Sequence, residues 1–156
     1  MKKLIVANWK MLPETLAQAT ELLDRTADQL QSISHEGFDI VIWPPLRLLD
    51  DVAAILGDGI LAGVASLGAQ DMSESGSALT QRGVRYVLVG HSDQRWGQGE
   101  SDEQTNEKLK TALRVGLIPI VCFGERTRSD GWQEELIAQT GATLAGLSTH
   151  DVLRCL

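Results

Sequence analysis

Residues 85–95 read RYVLVGHSDQR. Tyr86 to Val89 is a run of bulky apolar and β-branched residues, the composition of a strand buried on both faces. It stops at Gly90 and delivers His91 into a polar segment that a short helix can enter near Ser92. A histidine just past such a strand is either a hydrogen-bonded loop residue or part of a site. The segments on either side decide which fold holds it.

Downstream, SDEQTNEKLKTALRVG (101–116) carries the punctuation of a helix: Ser101 or Asp102 as cap, acids in the first turn, Gly116 past the end. The apolar run LIPIVCF (117–123) follows, then a helical pattern over DGWQEELIAQTGATLAG (130–146), weakened by Gly141. Upstream lie three more apolar runs, ILAGVA (60–65), FDIVIW (38–43) and LIVA (4–7). Between them, PETLAQATELLDRTADQL (13–30) opens with Pro13 in the first turn and Glu14 beside the positive helix end. It then sets Leu16, Ala19, Leu22, Leu23 and Ala27 on one stripe. LRLLDDVAAIL (46–56) follows the Pro44-Pro45 pair, while residues 66–83 leave room for little more than one helical turn.

Strand and helix thus alternate five times, which predicts right-handed βαβ units on a parallel sheet. No linker, charge block or low-complexity stretch interrupts the pattern, so residues 1–156 read as a single domain. Two closures satisfy it: an open, doubly wound sheet of five strands, or part of an eight-stranded barrel. Periodicity does not separate them.

Composition narrows the function. The apolar fraction of 43% and charged fraction of 22% are those of a globular protein. A net charge of −7 argues against nucleic acid or an anionic membrane as partner, though a local site can still take a small anion. Cys122 and Cys155 are too few for a disulfide framework and show no metal spacing, and Cys122 in LIPIVC reads as a buried structural thiol. The apolar stretch of MKKLIVANWK is too short for a signal peptide or a membrane span, so a cytoplasmic protein is expected.

In both closures ligands sit beyond the carboxyl ends of the strands. Those ends carry Asn8-Trp9-Lys10, Trp43-Pro44, Gln70-Asp71, His91-Ser92-Asp93 and Gly124-Glu125. A lysine and a histidine with amides between them suit a small anionic ligand. Each residue also has an ordinary reading. A lone loop lysine is usually solvated, a lone histidine is as often structural as functional, Asp93 fits a helix cap, and Glu125 with Arg95 fits a structural ion pair. Neither GxGxxG nor GxxxxGK[ST] occurs, which counts against a nucleotide enzyme.

VANWKM before a helix, WPP, GAQD, YVLVGHSDQR, GESDE and IPIVCFGE, in that order over residues 4–125, together resemble triosephosphate isomerases. The resemblance implies a (β/α)₈ barrel, of which about five βα units are present, and the cofactor-free, metal-free interconversion of dihydroxyacetone phosphate and glyceraldehyde 3-phosphate. That enzyme is itself the familiar example of environment-tuned acid–base chemistry. By motif, Asn8 and Lys10 would bind substrate, with the Lys10 ammonium stabilising an enediolate. His91 would act as a neutral electrophile moving protons between the two substrate oxygens. Gln70, Asp93 and Glu100 would support the site.

Three departures qualify the resemblance. Asp93-Gln94 stands where the family carries Glu-Arg. The long third loop, which in the family reaches into a dimer partner, is shortened between Gln70 and Val84. LSTHDVLRCL (147–156) resembles the approach to a sixth strand, and nothing like YEPVWAIGTG is present, although such a barrel takes about 250 residues. The glutamate base and phosphate-gripping loops are therefore expected to be missing from these 156 residues, leaving a poor isomerase. The alternative is a catalytically inactive α/β module, or a self-associating scaffold with a residual sugar-phosphate site. Association is expected through two open sheet edges, LIVA and LIPIVC. An unrelated flavodoxin-like domain would fit the length but leaves NWK, GHS and CFGE unexplained.

Overall fold

The structure, a computed structural model, describes residues 3–32, 37–58 and 61–156. Five parallel strands, β1 (Lys3–Asn8), β2 (Phe38–Trp43), β3 (Ala65–Ala69), β4 (Val84–Val89) and β5 (Ile118–Val121), are hydrogen-bonded in chain order, β1-β2-β3-β4-β5. In the register, Lys3 lies opposite Phe38 and Asn8 opposite Trp43, and Ile40 lies opposite Ala65. A doubly wound sheet reverses its strand order at a switch point, whereas barrel strands follow one another in sequence. The observed order therefore selects the partial (β/α)₈ barrel. The helices are α1 (Leu16–Gln31), α2 (Leu49–Asp58) after a 3₁₀ turn at Leu46–Leu48, α3 (Gly76–Gln81), α4 (Ser92–Arg95), α5 (Asp102–Arg114), α6 (Trp132–Thr143) and α7 (Thr149–Val152).

The chain packs as two compact units, one of residues 1–70 with 78–86 and one of residues 71–77 with 87–156. In the first, α1 begins later than Pro13 predicts. Thr15 is its N-cap and exchanges bonds with Gln18 in a capping box, so Pro13 and Glu14 precede the helix. Two reciprocal hydrogen bonds satisfy orphan N–H groups, which a proline only avoids supplying. The buried face of α1 is Ala19, Leu23 and Ala27, while Leu16 and Leu22 are exposed.

Two strand expectations in this unit need correction. LIVA reads as buried on both faces, yet Ile5 is 45% and Val6 41% exposed. β1 is the first strand of the order and, among the described residues, is paired with β2 alone. The third strand is ASLGA (65–69), not ILAGVA (60–65). Leu61 to Val64 form a turn closed by the Val64 N–H donating to Leu61 O at 3.0 Å, and Gly59 and Ile60 lie outside the described residues. The small residue explains the shift. A Cβ on Gly68 would fall 1.8 Å from Nε1 of the fully buried Trp43. The indole of β2 needs a bare backbone beside it, so the strand forms where Gly68 is.

In the second unit, α5 has the expected bounds. Ser101 caps it in a capping box with Gln104, and Gly116 takes φ +83° just beyond it. Leu109, Ala112 and Leu113 bury its inner face, where truncation of Leu109 would cost about 2–5 kcal/mol. The Asn106 carboxamide donates to Thr143 O and Ala145 O, fastening α5 to the end of α6. α6 has no side-chain cap and buries only Thr143. Thr149–Val152 form α7, capped by Ser148, before Leu156 reaches β5. There Leu156 N–H donates to Pro119 O and Val121 N–H donates to Leu156 O, both at 3.0 Å. The expected open edge at LIPIVC is thus occupied at this point by the chain itself. Among the described residues no helix is long and apolar enough to cross a membrane.

Candidate functional site

Asn8, Lys10, Gln70, His91 and Asp93 lie at or just past the carboxyl ends of strands, whereas Glu100 lies between α4 and α5. In the first unit Asn8 is the last residue of β1, and the chain turns directly after it, with Trp9 N–H donating to Trp43 O at 3.0 Å. Lys10 has φ +53°, a left-handed conformation uncommon outside glycine. Such a residue costs about 1–3 kcal/mol and persists where its surroundings over-determine it. Here Asn8 Oδ1 accepts the Lys10 N–H at 2.9 Å, and Gln70 Nε2 donates to Lys10 O at 2.9 Å and to Trp43 O at 3.0 Å. The backbone of Lys10 is therefore held on both sides by amides while the residue as a whole is exposed. Asn8, Lys10 and Gln70 come together as one group.

Arg47 completes this loop and was not singled out in the sequence. Its guanidinium donates to Met11 O at 2.7 Å, Pro13 O at 2.8 Å and Glu14 O at 3.3 Å. The contacts join positions more than thirty residues apart, so no local pattern announces them.

In the second unit Gly90, at φ +74°, turns the chain out of β4. A Cβ there would meet Arg95 Nη2 at 2.7 Å and Thr105 Cγ2 at 2.8 Å, so only glycine makes this corner. His91 is the N-cap of α4, and its Nδ1 accepts the Asp93 N–H at 3.2 Å. The cap is the histidine itself, not Asp93. With Nδ1 accepting, a neutral imidazole carries its proton on Nε2. An Asp93 carboxylate oxygen also lies 3.5 Å from Nδ1, within reach of an imidazolium.

Arg95 is buried and holds the turn from behind. It donates to Gly90 O at 2.7 Å and Thr143 Oγ1 at 3.3 Å and pairs with Asp102. The expected partner, Glu125, instead pairs with Arg128 at 2.9 Å. Asp102 prevails because Ser101 begins α5 there and presents the carboxylate beside the buried guanidinium.

Glu100, between α4 and α5, directs its hydrogen bonds to α5. Its carboxylate, 5% exposed, accepts from Thr105 Oγ1 at 3.0 Å and pairs with Lys108. Lys108 also binds Asp71 at 2.7 Å, whose side chain is 9% exposed. Burial works against the Lys108 ammonium, but the hydrogen bonds and charges of Asp71 and Glu100 outweigh it and raise its pKa above the ordinary lysine range. Both thiols are half-buried, so Cys122 is less buried than its apolar run suggests. Burial raises both thiol pKa values, the wrong direction for a nucleophile. Among the described residues no three His, Cys, Asp or Glu side chains are grouped to hold a metal.

Comparison with known proteins agrees with these motifs. The family model for triosephosphate isomerase matches residues 3–155. The chain is 35% identical to the triosephosphate isomerase of Paracidovorax citrulli, over 96% of this chain and 62% of that protein. It is 36% identical to those of Nostoc punctiforme, over 88% and 60%, and of a Thermoanaerobacter species, over 97% and 63%. The chain spans about six-tenths of the length of these curated relatives. Its strand order, its strand-end residues and these matches place it in one family: the chain belongs to the triosephosphate isomerases.

Proposed function

We propose that this chain supplies the substrate-binding lysine and the electrophilic histidine for interconverting dihydroxyacetone phosphate and glyceraldehyde 3-phosphate. The observation that carries the reading is Lys10, an exposed residue held in a left-handed turn by Asn8 and Gln70. Strain retained at an exposed lysine past a strand end supports a functional position over a solvated loop.

The roles follow from the chemistry. Removing a proton from carbon beside the substrate carbonyl leaves an enediolate, whose negative charge the Lys10 ammonium stabilises. Asn8 accepts the Lys10 N–H through Oδ1, so its NH₂ group remains a donor for substrate. The Nε2–H of neutral His91 polarises the carbonyl and carries protons between the two oxygens. Gln70 and Asp93 act by positioning Lys10 and His91. Glu100 acts through the Lys108 network. No cofactor enters, and a cytoplasmic location accompanies this reading.

No residue here is assigned the carbon-abstracting base. Glu125 lies past the end of β5 but is committed to Arg128. General-base catalysis typically contributes ~10²–10⁴-fold, so these 156 residues alone should turn over at least about a hundredfold below a full-length relative. A coupled isomerase assay tests this. The expected result is weak turnover, lowered further by Lys10→Met and by His91→Gln. Full turnover indifferent to both substitutions would overturn the reading, and loss of activity in Glu125→Gln would show that Glu125 is the base.

One observation favours a second reading, self-association. Ile5 and Val6 point to opposite faces of β1 and are both substantially exposed. An edge with unsatisfied N–H and C=O groups and apolar side chains on both faces is a template for another strand.

A further inference from the structure

The second unit contains a cleft of about 760 Å³ that no substrate-binding or proton-transferring residue lines, although Glu100 and Lys108 of the supporting network border it. One wall is the 71–77 segment, where the loop is short. The other is a stripe of α5 recurring at 103, 107, 111 and 115, the spacing of one helix face. Thirteen residues of α5 make the wall about 20 Å long at 1.5 Å per residue. The floor is apolar. Met72 and Val115 meet there beneath Gly76, where a Cβ would lie 2.8 Å from a Val115 methyl.

The rim is acidic. Glu74 lines the cleft from the loop side, and Glu103 and Glu107 from α5. Glu103 and Glu107 are one helical turn apart, about 6 Å between Cβ atoms. Lys108, the one basic residue lining the cleft among those described, is neutralised by Asp71 and Glu100. Glu107 has Lys110 at 3.2 Å, an exposed pair of little strength. An apolar floor between acidic walls complements a partner that is apolar on one side and cationic at its margins.

We propose that this cleft docks a basic amphipathic helix of a partner protein, with lysines or arginines one turn apart meeting Glu103 and Glu107 and an aliphatic side chain between them on Met72 and Val115. A helix in a groove buries its apolar face as i, i+3, i+4 anchors, and methionine adapts to such side chains. Asn8, Lys10, Gln70 and His91 do not line this surface, and the variants that test it leave Glu100 and Lys108 in place, so its failure and that of the isomerase reading are distinguishable.

The test is fluorescence anisotropy with a synthetic 14-residue helical peptide bearing leucines on one face and lysines beside them. Saturable binding is expected, weakened by added salt. The exposed double variant Glu103→Gln/Glu107→Gln should weaken it by about three- to tenfold. The matched pair Glu21→Gln/Asp24→Asn on α1, which removes the same charge elsewhere, should leave it within about twofold. Thr111→Arg, which puts bulk and positive charge into the cleft, should abolish binding, with circular dichroism confirming the fold.

Equal losses from the two double variants would mean that the overall charge of −7 attracts the peptide, and the proposal fails. It fails too if a glutamate-for-lysine peptide binds as well, or if no saturable binding occurs at millimolar peptide. A wild-type dimer that Thr111→Arg converts to monomer would assign the cleft to a second copy of this chain instead.

Discussion

Lys10 shows how much chemistry rests on a few backbone bonds. Its φ of +53° is tolerable because Asn8 and Gln70 hold its N–H and its C=O. Gln70 contributes two hydrogen bonds, to Lys10 O and Trp43 O, each worth about 0.5–1.5 kcal/mol. Gln70→Ala should therefore free the turn, speeding amide exchange at Lys10 and Met11 about tenfold while shifting global unfolding by no more than about 3 kcal/mol. Unchanged exchange at both amides would show that Arg47 and Asn8 suffice without it. The motif NWK pointed to Lys10 in the sequence. Its left-handed backbone and its clamps could not be read there, because they depend on Gln70 sixty residues away and on three carbonyls gathered by Arg47. His91 was legible as a strand-end histidine, but its role as the cap of α4 was not, since Asp93 has the more usual capping side chain.

At the scale of elements, the punctuation of α5 was readable because its determinants are local: a capping box at Ser101 and a left-handed glycine at Gly116. β3 was misplaced because hydrophobicity led toward ILAGVA, whereas packing against Trp43 requires the small residues of ASLGA. The link between Lys108 of α5 and the acids Asp71 and Glu100 was equally hidden, and it makes a prediction about α5. Lys108→Met leaves two nearly buried carboxylates facing each other's charge and should destabilise the fold by about 2–4 kcal/mol after allowance for solvent screening. The pH dependence follows from the direction of the shift. Because the folded-state pKa of Lys108 is raised, its contribution is complete below the unfolded lysine value of 10.5 and is lost as pH climbs through the higher folded value. Chemical denaturation from pH 8 to 11 should show a constant gap between wild type and Lys108→Met up to about pH 10 and a narrowing gap above 10.5. Parallel curves throughout would mean that Lys108 is not coupled to folding.

For the whole molecule, the sequential strand order supports the barrel family, and the exposed faces of β1 mark where, among the described residues, the sheet has a neighbour on one side only. Size-exclusion chromatography with light scattering should find self-associated species, and Val6→Lys on the β1 edge should shift them toward 17 kDa. A stable wild-type monomer with no dye-binding apolar surface would remove the second reading and leave the first intact. The central claim, that Lys10 and His91 serve a triose-phosphate enediolate, is tested most directly by calorimetric titration of the chain with a planar, phosphorylated hydroxamate analogue of that anion. The account predicts saturable one-to-one binding, weakened about tenfold or more by Lys10→Met and by His91→Gln in variants that remain folded. Binding of equal strength in wild type and both variants, or none in the folded wild type, would contradict it.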